Sequence, residues 1–270
     1  MLGPQQEQIQ AQPKEEPLVD PNGIHPILME LAHTLKQNRN KIERNQSYGN
    51  EKDREGGAWR ELKSGGKGQN NAQLVDATIE TCLLAQAMLQ DSPDNILVAF
   101  KSEFVAELHS LIDIIPVHNV YCAHVDILKN IAKETPKFCQ KLYQLGVVLS
   151  LARMLDSKDE TLIICSLATI RYIVYAARDK ESEKKGGVHA YKQKMEKDGI
   201  LAAIEQKGMN EALKNEEIKG NAACILGIVC GKNSRNLTQT ISQLKLTAIN
   251  KLLDDPDLPQ IAVELLYVIT

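Results

Sequence analysis

Three patches of this sequence hold side chains that could do chemistry. The first is His118-Asn119-Val120-Tyr121-Cys122-Ala123-His124. In a helix His118 and Cys122 would share a face at i,i+4, whereas His124 lies two residues further on and points elsewhere. Zinc takes three or four protein ligands. Two fall short, so a packed cysteine with two partly exposed histidines is expected. The second patch, Ser64-Gly65-Gly66-Lys67-Gly68, superficially resembles a phosphate loop. Glu61 occupies the required first Gly position, however, and Gly68 the Ser/Thr position. The third, Glu216-Glu217, sits at an expected helix start, where carboxylates complement the helix dipole. No GxSxG, HExxH, DxDxDG or GxGxxG occurs. The reading is therefore of a non-enzymatic protein with no catalytic residue, metal or cofactor. An enzyme using His and Cys would need Cys122 to be unusually reactive.

The six cysteines (Cys82, Cys122, Cys139, Cys165, Cys224 and Cys230) form no CxxC pair. Most lie within apolar helical patterns, where a free thiol packs as a small hydrophobe. That suits a reducing compartment, cytoplasmic or nuclear. The start of the chain lacks the basic flank and apolar stretch of a secretion signal. No apolar run reaches the roughly 18 residues that span a bilayer. A formal charge of −3 gives no reason to expect nucleic acid. Hydrophobic residues make up 43% but aromatics only 4%, a composition that suits packed helices better than a β-sandwich.

Those residues must be positioned by a recurring element. A small or polar residue followed by mostly apolar ones at +3, +4 and +7 appears four times. His124 leads Ile127, Leu128 and Ile131; Ser166 leads Thr169, Ile170 and Ile173. Ala222 leads Ile225, Leu226 and Val229; Ala262 leads Leu265, Leu266 and Ile269. The steps are 42, 56 and 40 residues. A helical period of roughly 40–47 residues marks armadillo or HEAT stacking.

The polar stretch at about 179–189 fits an inserted loop in the long step, and its Lys/Glu run is a solvated surface or a docking strip. Residues 1–22 read as a disordered tail. A first helix starts near Ile24 and fades near Asn45. Residues 47–71, with six glycines among polar side chains, read as a flexible loop. Its Trp59 is either a chance aromatic or a docking element that orders on a partner. Further helices fall at 72–90, near 95–115 and at 117–133. Pro136 opens another, and Gly146 and Gly199 mark bends. Ser157 and Glu160 stand at capping-box spacing, Gly208 kinks the helix that carries it, and Pro256 separates the last pair.

Gly23-Ile24-His25-Pro26-Ile27-Leu28 and Gly146-Val147-Val148-Leu149-Ser150-Leu151 resemble the start of the second helix of an armadillo repeat. Gly199-Ile200-Leu201 is similar, and Phe104 and Ser242 fit the same register with the Gly replaced. The resemblance covers about residues 23–270. It implies an all-α, right-handed α-solenoid of about four to five armadillo/HEAT-like repeats. It further implies a scaffold or adaptor whose third helices line a concave groove for an extended peptide or an amphipathic helix.

Importin-α-like members place Trp at +2 and Asn at +6 from the leading small residue. Here the +2 positions read Asp126, Ala168, Cys224 and Glu264, and the +6 positions Asn130, Tyr172, Ile228 and Val268. Only Asn130 matches, which disfavours a nuclear-transport adaptor. The expected groove residues are Asp126, Asn130, Tyr172, Cys224, Ile228, Glu264 and Val268; alternatively, Ile228 and Val268 simply pack against neighbouring helices. The apolar stretch Leu265–Thr270 has no polar cap. It points either to a fragment of a longer array or to self-association at that end.

Overall fold

The structure, a computed structural model, describes residues 23–52, 67–90, 92–178, 189–210 and 214–230. The expected N-terminal tail, Trp59, nearly all of the 179–189 loop, the break at Pro256 and the last repeat with Glu264 and Val268 lie outside them. So does the apolar C-terminal stretch.

Every regular element among the described residues is helical. In chain order they are α1 His25–Lys52, α2 Lys67–Leu89, α3 Pro93–Lys101, α4 Phe104–Ile114, α5 Cys122–Glu134 and α6 Cys139–Leu145. Then come α7 Val147–Arg153, α8 Glu160–Ala176, α9 Lys192–Lys197, α10 Ile200–Ala203 and α11 Glu216–Cys230. A single π-turn, Ile204–Gly208, follows α10.

Two ladders organise them. One runs α2, α5, α8, α11, each packed on the next; the other runs α1, α4, α7, α10. The short helices α3, α6 and α9 lead into α4, α7 and α10. The unit is thus a helical triad repeated three times after a leading pair, an α-solenoid in which each unit touches its neighbours. The apolar spacing explains the packing. The leading residues His124, Ser166 and Ala222 are fully buried, and so, or nearly so, are all their +3, +4 and +7 partners. Thr78 on α2 is a further copy, with Thr81, Cys82 and Ala85 buried beneath it. Two threonines, a cysteine and an alanine made that copy too weakly apolar to stand out in the sequence.

The joints before the second-ladder helices share one backbone state. Gly23, Gly146 and Gly199 have φ of 61°, 92° and 73°, and Glu103 has φ 62°. Each is followed by a buried apolar residue, Ile24, Val147, Ile200 or Phe104. This corrects two expectations. The single helix near 95–115 is two, α3 and α4, broken at Ser102-Glu103. The residue in the Gly register is Glu103, with Phe104 the first buried side chain beyond it.

The expected loop at 47–71 is helical at both ends, since α1 continues to Lys52 and α2 begins at Lys67. Two side-chain ties lie near those ends. Asn45 donates to Asn71 Oδ1 at 2.6 Å, and Gln46 donates to the Ile114 carbonyl at 3.4 Å. The cap of α8 is Asp159, whose carboxylate accepts from the N–H groups of Thr161 and Leu162. Ser157 instead accepts from the Asp159 N–H.

Candidate interaction surface

The α2–α5–α8–α11 ladder has an inner face, already described, and an outer face at +2 and +6 from each leading residue. The register between rungs is fixed where it can be seen most directly. His124 Nε2 lies 2.9 Å from Thr78 Oγ1, so the leading residues of α2 and α5 touch. The +6 column reads Leu84, Asn130, Tyr172 and Ile228. It grades from open to closed: Leu84 is 51% exposed, Asn130 and Tyr172 are half-buried, and Ile228 is 9% exposed. Leu83 beside Leu84 is 53% exposed. The spacing along 72–90 places Leu84 on the inner side of this helix with Leu74, Thr78, Thr81, Ala85 and Met88; its exposure corrects that reading.

Of the expected groove residues, Asp126 and Asn130 stand on α5 and Tyr172 on the adjacent α8, all three half-buried. Asp126 accepts a 2.6 Å hydrogen bond from Lys129 Nζ and one from Cys165 Sγ at 3.3 Å. Burial works against the Lys129 charge, but the hydrogen bond and charge of Asp126 outweigh it and hold the ammonium above its ordinary pKa. The Tyr172 ring lies under the Arg171 guanidinium, 5.0 Å from its centroid. Cys224 is fully buried and Ile228 nearly so. This corrects Cys224: its side chain is buried rather than presented on an open face. Ile228 follows the packing alternative.

Of the two histidines in the first chemically suggestive patch, one is structural. His118 is exposed in a 3₁₀ turn, while His124 is fully buried. His124 Nδ1 accepts from the Tyr121 N–H at 3.1 Å, closing a capping box on α5. Burial pushes its pKa down to about 4. The expectation of two partly exposed histidines therefore fails for His124. Among the described residues no group of three or more His, Cys, Asp or Glu could hold a metal ion.

A Ser, a His and an Asp do meet between α4 and α7. His109 Nε2 is 2.9 Å from Ser150 Oγ, and that hydroxyl donates to Asp113 Oδ1 at 2.6 Å. Arg153 adds a 2.6 Å bond to the Asp113 carbonyl. This is a clamp between repeats, not a nucleophile: the hydroxyl proton already goes to the carboxylate, and Ser150 is 2% exposed. Burial also lowers the His109 pKa. The thiols of Cys82, Cys139 and Cys165 are pushed up to about 12 by burial, far from the lowered values of nucleophilic cysteines. No described helix is long and apolar enough to cross a membrane.

No family model matches the sequence, and no curated protein matches it significantly. Among solved structures it is similar to a designed armadillo repeat protein at 18% identity, covering 94% of this chain and 97% of that one, with a TM-score of 0.49. Another designed armadillo repeat protein, in complex with the peptide (KR)4, is similar at 17% identity over 94% of this chain and 96% of that one, with a TM-score of 0.47. A third similar structure is of computationally designed armadillo repeat proteins for modular peptide recognition: 18% identity, 90% of this chain, 100% of that one, TM-score 0.43.

Proposed function

We propose that this chain is a non-enzymatic scaffold that holds a protein partner, an extended peptide or an amphipathic helix, along the outer face of the α2–α5–α8–α11 ladder. The observation that carries the reading is the column Leu84, Asn130, Tyr172 on successive rungs. Leu84 is exposed, Asn130 and Tyr172 are half-buried, and the three differ in chemistry and repeat at the spacing of the fold. A row of that kind offers apolar contact at α2 and hydrogen bonding at α5 and α8. Peptide and helix recognition needs this mixture.

The test is a comparative capture from the native cell extract with quantitative mass spectrometry. It uses the wild-type chain, a D126R/N130R/Y172A variant and a control, Leu149→Arg, on the other ladder. Circular dichroism must first show equal helicity. The triple variant is expected to lose proteins that the control keeps. If it retains the full wild-type set, the surface assignment fails.

A further inference from the structure

Two exposed faces of this chain are opposite in charge. On α2, Asp76, Glu80, Leu83 and Leu84 fall at i, i+4, i+7 and i+8, opposite the buried Val75, Cys82 and Ala85. The two leucines are more than half exposed, both carboxylates are exposed, and neither meets a cation among the described residues. Residues 68–100 contain no Lys or Arg. Adjacent leucines left in water on a folded protein mark a contact site. The second face surrounds α6. Phe100 and Phe138 stack with centroids 4.6 Å apart, and Lys141 Nζ lies 5.7 and 5.2 Å from the two ring centroids. Lys137 Nζ is 5.3 Å from the Phe138 centroid. The rings attract both ammonium groups, which are exposed and meet no carboxylate among the described residues. Leu145, one helical turn beyond Lys141, is 37% exposed. Residues 135–155 contain no Asp or Glu.

We propose that the α2 face of one copy docks on the α6 face of a second copy, carboxylates against ammonium groups and leucines against Leu145. Charge selects this occupant: each face repels its own kind and matches the other, and every copy carries both. The contact is heterologous, so a copy engages one neighbour through α2 and another through α6. One helix face on each side is a small area, so association is weak and shows at high concentration. Leu84 also heads the column assigned above to a partner. Asp126, Asn130 and Tyr172 take no part in the self-contact, so either assignment can fail alone.

The test is the solution mass of the full chain by analytical ultracentrifugation over a concentration series, in low and in high salt. The wild-type mass should rise with concentration and fall back at about 1 M salt, where the Debye length shrinks to about 3 Å. Two charge-swapped variants, D76K/E80K and K137E/K141E, alter only exposed side chains, and circular dichroism should show wild-type helicity in both. The first carries two basic faces and the second two acidic ones. Each alone should need more than about tenfold higher concentration to associate, because like charges then meet. An equimolar mixture of the two should associate again, since the swapped faces complement each other. A wild-type chain that stays monomeric up to about 1 mM, the weak end of specific binding, overturns the proposal. Variants that associate as well as wild type, or a mixture that fails to recover, overturn it too, by placing any self-contact elsewhere on the chain.

Discussion

Glu103 adopts a backbone state that glycine occupies at the three equivalent joints. With φ positive, a side chain costs about 1–2 kcal/mol. Glu103→Gly should therefore raise stability by up to about 1 kcal/mol, the gain being trimmed because glycine loosens the unfolded chain. Gly146→Ala should do the reverse. It acts through φ alone, since an added Cβ would meet His109 at an ordinary 3.7 Å. Urea midpoints shifting in the same direction for both would remove the joint assignment. Nothing in the residue type of Glu103 announces this role, which is why the sequence places the joint one residue late, at Phe104. His124 makes a second residue-scale prediction. Its folded pKa of about 4 lies below the ordinary 6.5, so the unfolded chain takes up the proton first on acidification. Stability is complete above pH 6.5 and falls as pH drops from there toward 4, by roughly 3 kcal/mol in all. An imidazole signal of His124 titrating near 6.5 by NMR would contradict this.

Elements meet closely at one point where only glycine fits. A Cβ added at Gly208, the last residue of the π-turn, would stand 2.7 Å from the Ala222 Cβ on α11. Two buried positions on different elements cannot both yield, so Gly208→Ala should destabilise by about 1–3 kcal/mol. Ala222→Gly alone should cost about 1 kcal/mol through helix propensity. In the double variant the clash is gone, so its loss in thermal or urea unfolding should be clearly smaller than the sum of the two. A strictly additive pair would show that the turn relaxes away from α11. From sequence Gly208 was readable as a kink, but not its reason, because the constraint comes from a residue on another helix. The same limit applies to the 47–71 segment. Its glycines signal a loop, yet the helices run past that local signal at both ends, where Asn45 is tied to Asn71. By contrast, the +3, +4, +7 spacing located α5, α8 and α11 correctly, because burial of one helical face is the term that decides them. The half-exposed Asp126, Asn130 and Tyr172 followed from that register. Cys224 did not: it stands in the same register yet is fully buried, and periodicity alone does not tell which positions of a face are covered.

At the scale of the whole molecule, the two ladders give each rung contacts with its neighbours and little beyond. The core is continuous along the stack but has no centre, so its stability is nearly a sum of local terms. A single-domain globule would answer a core defect as one unit; this architecture should not. Leu162 on α8 is fully buried and far along the ladder from α1. Leu162→Ala should cost about 2–5 kcal/mol through lost transfer energy and the cavity left behind. By nearest-neighbour coupling, that cost should fall on α8, on its rungs α5 and α11, and on α6 and α7, which also pack on it. The α1–α4 pair is held separately by the Glu107 carboxylate, which meets Lys36 at 3.3 Å and Arg39 at 3.1 Å. It should keep its protection. Amide hydrogen exchange followed by mass spectrometry distinguishes the two cases. A graded loss centred on α8, with α1 and α4 close to wild type, fits a stack of local couplings. A uniform acceleration over every described helix would mean that the chain unfolds as one cooperative body, in which case effects placed on one rung could not be kept apart from the rest.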